Sequence, residues 1–174
     1  DFVILKRNSP ISQVPEISFG SMPNDGGNLL FSDSEKKEFL KNEPVAKNYI
    51  KPLLSAREFL NREKRWCLWL ENINPSVLKE MPEVLKRIQL VKEHRLTSDR
   101  PSTKKLASFP SIFGENRQPK TDYVLVPRHS SENRKYIPIG FFSKDNIVSD
   151  SCLYIANASL FHFGILMSEM HMTW

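Results

Sequence analysis

The length, composition and charge of the chain exclude several classes of protein. Its 174 residues are 40% hydrophobic and 26% charged, which is typical of a folded domain and too apolar for a disordered chain. No apolar run approaches the roughly 18 residues of a membrane span, and residues 1–20 lack the long apolar centre of a signal peptide. We therefore expect no membrane partner and a cytoplasmic location.

In the first half of the chain, local signals predict short strands and helices. Residues 1–7 have the composition of a strand, and Asp25-Gly26-Gly27 predicts a turn with positive φ angles. Ser32 followed by Glu35 is a capping box, which predicts a short helix through Lys41. Further signals predict a helical turn between Pro44 and Pro52, a helix in 53–60, a central strand at RWCLWL (65–70), and a helix that starts at Asn74-Pro75.

In the second half, the clearest periodic signal is a helix over 82–96, with Pro82 in its first turn. Its apolar residues, including Val84 and Val91, share one face, and Arg87 and Arg95 are expected to point elsewhere. A long surface segment follows at 97–121. We then predict strands at 123–126, 136–142 and 152–155, and a final helix over 157–172 capped by Asn157. This order predicts an α+β fold with a mostly antiparallel sheet and several flanking helices.

Positive charge is concentrated in one part of the chain. The formal net charge is +5, and the stretch from Lys86 to Lys135 holds twelve Lys or Arg against five Asp or Glu, a local net charge of +7. Such a concentration is expected of a phosphate-binding surface, because neutralising phosphates releases condensed counterions. A solvated basic face without a partner would give the same composition.

The sequence contains no recognisable catalytic or metal-binding signature. Cys67 and Cys152 lie in apolar runs without a neighbouring Cys or His at ligand spacing, so we expect two reduced core cysteines and no metal. Asp25 with Glu35 and Lys37 loosely imitates the acidic and lysine pattern of Mg²⁺-dependent nucleases. However, a turn accounts for Asp25 and a helix cap accounts for Glu35, so a nuclease is a weak alternative.

Two other segments carry residues suited to nucleic acid. The tryptophans of KRWCLWL could stack on bases or pack in the core, and core packing is favoured because apolar residues alternate with them. The connection PRHSSENRKYIP (127–138) between two strands is polar, basic and much longer than a simple reversal needs. We ask what this loop contacts.

Six motifs follow one another along the chain: FGSMPNDGGNLL (19–30), EPVAKNYIKPLLSAREFL (43–60), RWCLWL (65–70), RIQLVKEHRLTS (87–98), YVLVPRHSSENRKYIP (123–138) and FGILMSEMHMTW (163–174). As an ordered set they resemble the target-recognition region of MmeI-like type IIL restriction-modification enzymes. The resemblance implies one target-recognition domain over 1–174, with a subdivision near 97–121 left open. The family pattern continues past Trp174, so it also implies that part of the reading surface lies outside this chain.

The resemblance further implies a role in double-stranded DNA recognition. In such enzymes the methyltransferase domain of the same polypeptide modifies an adenine N6 with S-adenosylmethionine, and an N-terminal nuclease cleaves with Mg²⁺. Related bacterial phage-defence methyltransferases carry a similar region, so cleavage by the parent is left open. The fragment itself would hold no catalytic residue, no metal and no cofactor.

Physical chemistry ranks the candidate DNA contacts, because Arg and Lys read guanine, Asn reads adenine and hydroxyls bind phosphates. The first group is the loop, with Arg128, Ser130, Ser131, Asn133, Arg134 and Lys135. The second is a flexible phosphate clamp with Arg100, Lys104 and Lys105, and the third is Lys64 with Arg65. Two alternatives remain: Glu132 and Arg134 could merely brace each other, and the chain could be a docking or scaffolding domain that uses its apolar C-terminal helix.

Overall fold

The computed structural model describes Lys6 and residues 10–173, so the strand predicted for 1–7 lies outside the described residues apart from Lys6. The strands are β1 (Ile17–Phe19), β2 (Leu30–Ser32), β3 (Ile50–Leu54), β4 (Arg65–Leu68), β5 (Tyr123–Pro127), β6 (Gly140–Phe142), β7 (Ile147–Val148) and β8 (Cys152–Ala156). The helices are α1 (Asp33–Asn42), α2 (Ala56–Asn61), α3 (Pro75–Lys79), α4 (Pro82–Leu96), α5 (Pro101–Leu106), α6 (Leu160–Leu166) and α7 (Glu169–Thr173), with a 3₁₀ helix at Pro44–Tyr49.

Within the described residues, the strands form two four-stranded sheets, which confirms the α+β class with mostly antiparallel pairing. Sheet one has the order β1-β8-β5-β6 and is antiparallel throughout. Sheet two has the order β2-β4-β3-β7, and only the β3–β7 pair is parallel. Pro52 is tolerated in the interior strand β3 because β3 changes partner there: Ile50–Pro52 pairs with β4, and Leu53 begins the pairing with β7.

Strand β7 joins the two sheets and their cores. Its neighbouring residues point to opposite faces, so Ile147 packs in the core of sheet two and Val148 packs in the core of sheet one. The end of β1 approaches this point closely, since Ser21 N donates to Val148 O at 2.7 Å. A Cβ atom at Gly20 would collide with the carbonyl group of Ser149, so this approach requires glycine.

Locally encoded helix starts match their predictions. Ser32 and Glu35 form the reciprocal capping box of α1, and Asn74 caps α3 by accepting from Ser76 N at 2.9 Å. The turn before β2 contains Gly26 and Gly27 at φ angles of 64° and 84°, as the sequence predicted. Helix α4 has the predicted bounds, and β4 is an interior strand.

Four predicted elements are wrong in extent. The strand predicted at 65–70 ends at Leu68. The strand expected at 136–142 pairs only over Gly140–Phe142, and Pro138 just before it has no N–H to donate to a ladder. Leu53 and Leu54 belong to β3, so the helix predicted in 53–60 begins only at Ala56. The segment 97–121 contains α5 and buries Phe113, so it is not a purely surface segment.

The helix predicted over 157–172 is broken into α6 and α7. Asn157 adopts a left-handed φ of 57° and Ser159 caps α6 in its place. Ser168 interrupts the helix because its hydroxyl donates to Ile165 O at 2.7 Å and accepts from His171 N at 3.2 Å. Ser168 therefore ends one helix and caps the next.

Arg95, which the periodicity of α4 placed away from the core, is completely buried. All five N–H groups of its guanidinium donate to backbone carbonyls. The acceptors are the carbonyl oxygens of Pro23, Asn24, Leu106, Phe109 and Ile112, at 2.8 to 3.0 Å. Arg95 thus fastens the 22–25 turn and the end of α5 to α4.

Arg87 on the same helix was also expected to point away from the packed face, and it packs against other parts of the domain instead. Its Nη1 donates to Asn28 O at 2.7 Å, and its guanidinium carbon lies 4.1 Å from the ring centroid of Phe31. Cation–π packing of this kind lets the guanidinium cover apolar surface. Both arginines of α4 therefore hold the segment before β2.

We predict that Arg95→Ala lowers the free energy of unfolding by at least about 3 kcal/mol, because it leaves several buried carbonyls without donors and opens a cavity. Arg95→Lys should also destabilise strongly, since an ammonium offers three donors where five are used. The exposed Lys92 on the same helix is the matched control, and Lys92→Ala should change stability by no more than about 0.5 kcal/mol. Urea unfolding followed by circular dichroism measures all three; an Arg95→Ala value near the Lys92→Ala value would contradict the anchoring role.

Both cysteines are free and buried, as predicted. Burial raises the pKa of the Cys67 thiol well above its ordinary range, and it raises the pKa of Cys152 to about 12. A raised pKa keeps each thiol neutral in the folded state. The stability that each buried neutral thiol contributes is therefore fully present below the pKa of the unfolded thiol, near 8.5. This stability is lost progressively as the pH rises above that value toward the raised pKa of the folded state.

We predict that a thiol-specific disulfide reagent leaves Cys67 and Cys152 unmodified at pH 8 in the folded protein, because the thiolate is the reactive form. In denaturant both thiols should react within the dead time of a manual assay. Rapid reaction of either thiol without denaturant would show that its site opens readily.

Candidate nucleic-acid interface

The loop between β5 and β6 presents a continuous exposed segment. Residues 128–135 are all exposed, whereas Tyr123 to Leu125 of the preceding strand are buried. Arg134 N donates to Ser131 O at 3.2 Å, and Asn133 N donates to Ser131 Oγ at 3.3 Å, which forms a turn at the tip. The loop therefore carries its polar side chains on a tight turn anchored to a buried strand.

Arg128 is fixed at the base of this loop. Its backbone N–H donates to Ser151 O at 3.1 Å and its Nη1 donates to Asp150 O at 3.2 Å. Its guanidinium carbon lies 5.1 Å from the ring centroid of Phe19. The guanidinium has donors left over after this one bond, so Arg128 can still bind an anion or a base edge.

The end of the loop is tied to the C-terminal helix. Lys135 Nζ lies 3.0 Å from Glu169 Oε1, and Tyr136 Oη donates to the same oxygen at 3.3 Å. The hydrogen bond to Glu169 raises the pKa of Lys135. Exposed pairs of this kind contribute little energy, so Lys135 remains able to exchange Glu169 for another anion.

Asn133 and Arg134 at the tip are unengaged. Within the described residues, the side chains of Asn133, Arg134, Ser130 and Glu132 make no hydrogen bond or ion pair. In particular, no ion pair joins Glu132 to Arg134, the bracing contact that would have given the loop a purely structural role. The tip therefore offers free amide and guanidinium donors.

The second candidate group lies on helix α5, so the predicted flexible clamp is instead ordered. Arg100 is the N-cap residue, and Lys104 and Lys105 are exposed in the last turn. Lys104 and Lys92 of α4 line an open groove of about 270 Å³ between the two helices. Ala107 also lines this groove, and Arg95 holds it in place by donating to Leu106 O at 3.0 Å and to Phe109 O at 2.8 Å.

The third group belongs to sheet two. Lys64 is exposed just before β4, and Arg65 is half-buried and pairs with Ser32 of β2. The three groups thus rest on different supports, namely sheet one, the α4–α5 pair and sheet two. The structure gives each group its own surroundings and does not join them into one contact network.

Sequence reasoning missed a lysine that lies on the face of Trp66. Lys36 Nζ is 3.0 Å from the ring centroid, and the indole Nε1 donates to Asp33 Oδ1 at 3.1 Å. Trp69 packs in the core, with its ring 5.0 Å from Phe113 at an interplanar angle of 72°. Both tryptophans pack against the core of sheet two, which agrees with the favoured prediction, although Trp66 also presents one face to a cation.

Asp25 and Glu35, the residues of the weak nuclease pattern, are used by the backbone. Asp25 Oδ1 accepts from Gly27 N at 3.0 Å and Oδ2 accepts from Leu29 N at 2.6 Å. Glu35 Oε2 accepts from Ser32 N at 2.6 Å. In the part of the chain that the structure describes, no group of three or more His, Cys, Asp or Glu is arranged to hold a metal ion.

An apolar groove of about 210 Å³ lies between sheet one and α6. Most of the side chains that line it are apolar, and they include Val14, Ile17, Phe161 and Ile165. Phe161 and Ile17 are more than half exposed, at 70% and 56%. Because α6 forms one side of this groove, the groove is the surface that a docking role of the apolar C-terminal helix would use.

None of the helices in the described ranges is long and apolar enough to cross a membrane.

Comparison with known proteins decides the family. The model of the MmeI target recognition domain matches residues 1–174. The chain belongs to the MmeI target recognition domain family. The resemblance drawn from the ordered motifs is thereby confirmed, as is the prediction that this region is a recognition module and not the catalytic part.

Two relatives of this target recognition domain have informative names. The DNA methyltransferase A of Bacillus subtilis (strain 168) is 39% identical over 174 residues, which is 100% of this chain and 20% of that protein. A solved structure of the type IIL restriction-modification enzyme MmeI in complex with DNA is 44% identical with a TM-score of 0.93, and covers 100% of this chain and 23% of that one. The chain thus spans about a fifth of the length of these relatives.

Proposed function

We propose that this target recognition domain reads a short sequence in double-stranded DNA with the tip of the 128–135 loop. The observation that carries the proposal is the pair Asn133 and Arg134, whose donors are free on an exposed turn anchored to a buried strand. Base recognition needs polar groups that are held in a fixed position. A turn supported by a strand supplies the polar groups and also fixes their position. The similarity to MmeI, whose structure was solved in complex with DNA, supports the same role.

Each residue of the loop suits a different part of the duplex. Arg134 can donate two parallel hydrogen bonds to guanine O6 and N7, and Asn133 can pair with adenine N6 and N7 in the major groove. Ser130 and Ser131 carry hydroxyls suited to phosphate oxygens, and Arg128 at the base can do the same with its remaining donors. A well-formed pair of either kind contributes about 1 to 3 kcal/mol of discrimination.

The groove between α4 and α5 would set the register of the duplex. Arg100, Lys104 and Lys105 are exposed on a helix that Arg95 holds in place. Phosphate contacts carry no sequence information, but they fix where the reading loop meets the bases. Fixed positions lower the entropy cost of binding compared with a flexible clamp.

We propose that the rest of the polypeptide methylates adenine N6 with S-adenosylmethionine in the cytoplasm, with Mg²⁺ required if it also cleaves. The name of the Bacillus subtilis relative supports the methyltransferase activity. A base inside a duplex must leave the stack before methylation, at a cost of a few kcal/mol. Holding the flanking duplex would be the contribution of this domain to that step.

A docking role for the chain has one specific observation in its favour, the apolar groove of Val14, Ile17, Phe161 and Ile165. Packing against the methyltransferase domain of the same polypeptide through this groove is compatible with DNA reading by the loop on β5. The two roles separate experimentally, because a docking-only domain would not respond to changes at Arg134.

We predict that Arg134→Ala weakens binding to the preferred duplex by about 1 to 3 kcal/mol and relaxes the preference at one base position. Fluorescence anisotropy with the preferred duplex and its single-base variants measures both effects. Lys144→Ala is the control, since Lys144 is an exposed lysine in the β6–β7 turn. An Arg134→Ala protein with the affinity and base preference of the Lys144→Ala protein would remove the loop from the reading surface.

A further inference from the structure

Phe19 and Arg128 meet on one face of sheet one. Strand β8 separates β1 from β5 in this sheet, and Leu153 of β8 pairs with both Phe19 and Val126. Because side chains alternate along a strand, Arg128 continues the face that carries Phe19 and Val126. The guanidinium carbon of Arg128 lies 5.1 Å from the centroid of the Phe19 ring, which is within the roughly 6 Å of a cation–π contact.

Backbone hydrogen bonds fix the groups that hold Arg128. The carbonyl of Asp150 accepts from Arg128 Nη1 at 3.2 Å, and the N–H of Asp150 donates to Ser21 O at 2.9 Å. Gly20 N, next to Phe19, donates to the carbonyl of the first residue of β8 at 3.0 Å. The aromatic ring and the carbonyl that hold the guanidinium therefore both belong to the point where the two sheets join.

This arrangement leaves one edge of the Arg128 guanidinium free. Arginine has five N–H donors, and Arg128 uses one of them, on Nη1, for Asp150 O. Within the described residues, Nε and Nη2 of Arg128 make no hydrogen bond. The Nε–H and one Nη2–H are parallel, which is the geometry that binds two oxygens of a phosphate.

Arg128 differs in this respect from the other cations of the 128–135 loop. In the part of the chain that the structure describes, the side chain of Arg134 makes no hydrogen bond, and the only anion paired with Lys135 is the exposed carboxylate of Glu169. A side chain that is already held loses less conformational freedom when it binds a partner. Arg128 is therefore the cation of this loop whose position is set before DNA binds.

We propose that Phe19 is a positioning residue for DNA recognition, which holds the guanidinium of Arg128 so that its free edge meets the duplex. The inference rests on the proposed function, in which Arg128 binds a phosphate beside the bases that the loop tip reads. Phe19 acts through Arg128 and does not itself contact the DNA. An aromatic ring suits this role because its face attracts the flat guanidinium and leaves the donors at the edge free.

The test is a double-mutant cycle of Phe19→Leu and Arg128→Gln in the 174-residue chain, with fluorescence anisotropy of the preferred duplex as the measurement. Phe19→Leu should weaken binding about two- to fivefold, the range of an exposed cation–π contact. Once Arg128→Gln is present, Phe19→Leu should have no further effect, because the group that it positions is gone. Phe19→Tyr keeps an aromatic face and should bind as the wild-type chain does.

Phe141→Leu is the matched control. Phe141 lies on the same face of sheet one and is 44% exposed, against 49% for Phe19, and no arginine lies over its ring within the described residues. This control should leave the affinity unchanged. Arg128→Gln should lower the slope of log Kobs against log[salt] by about 0.9 in magnitude, as the loss of one phosphate contact does. Phe19→Leu removes no charge and should leave the base preference unchanged.

The outcomes separate the two proposals. Equal weakening by Phe19→Leu with and without Arg128 would show that the ring is merely structural and would overturn this inference. Wild-type affinity of the Phe19→Leu protein would overturn it as well, and in both cases Arg134→Ala would still report on base reading by the loop. A wild-type chain that binds no duplex at any salt concentration would overturn the proposed function and this inference with it. Weakening that depends on Arg128 would support both.

Discussion

The five hydrogen bonds of Arg95 are the contact on which the organisation of the recognition domain depends. One buried guanidinium satisfies five carbonyls from two segments, 23–24 and 106–112, that are more than 70 residues apart in the chain. Burial lowers the pKa of Arg95 and the nearby Asp25 carboxylate raises it, while guanidinium remains charged in proteins at any ordinary pH. Carbonyl dipoles solvate the charge in place of a carboxylate pair. Because all five directions of the planar fork are used, no other side chain can replace arginine here.

The hydrogen bonds of Arg95 hold irregular segments of the chain in fixed positions. The 22–25 turn leads into β2 of sheet two, and Ser21 beside it bonds to β7, where the two cores meet. Helix α5 and the chain after it are held against α4, which turns a lysine-bearing segment into an ordered wall of a groove. A recognition domain needs such order, because base contacts discriminate only when their donors stay within tenths of an ångström of the productive position.

Charge on this domain is distributed in a way that suits a large, anionic partner. The exposed cations of the 128–135 loop, of helix α5 and of Lys64 before β4 lie on different elements, so no single motif describes the basic surface. Basic groups on separate elements can each contact phosphates of one duplex, because a duplex carries negative charge along its full length. In the proposed function, specificity would rest with a few residues at one loop tip, whose exposed donors would meet base edges.

The accuracy of the sequence-based predictions follows the range of the interactions involved. The cap at Ser32, the cap at Asn74 and the glycine turn at Gly26 depend on neighbours within four residues, and all were predictable. The break at Ser168 was missed because a single serine inside an apolar helical pattern is compatible with a continuous helix, and the sequence does not show that its hydroxyl caps the next one. Arg95 was assigned to the polar face because its carbonyl partners become visible only after the chain has folded. The ordered motifs were sufficient to identify the family, but the contact between Lys36 and Trp66 depends on tertiary structure alone.

Reading of a DNA sequence by the isolated domain can be tested directly. The most direct measurement is binding of the 174-residue chain to a randomised duplex pool at two salt concentrations, followed by sequencing of the bound fraction. We expect steeply salt-dependent binding together with enrichment of one short motif. Salt-dependent binding without an enriched motif would contradict base reading by this chain, and it would leave the domain with a phosphate grip only.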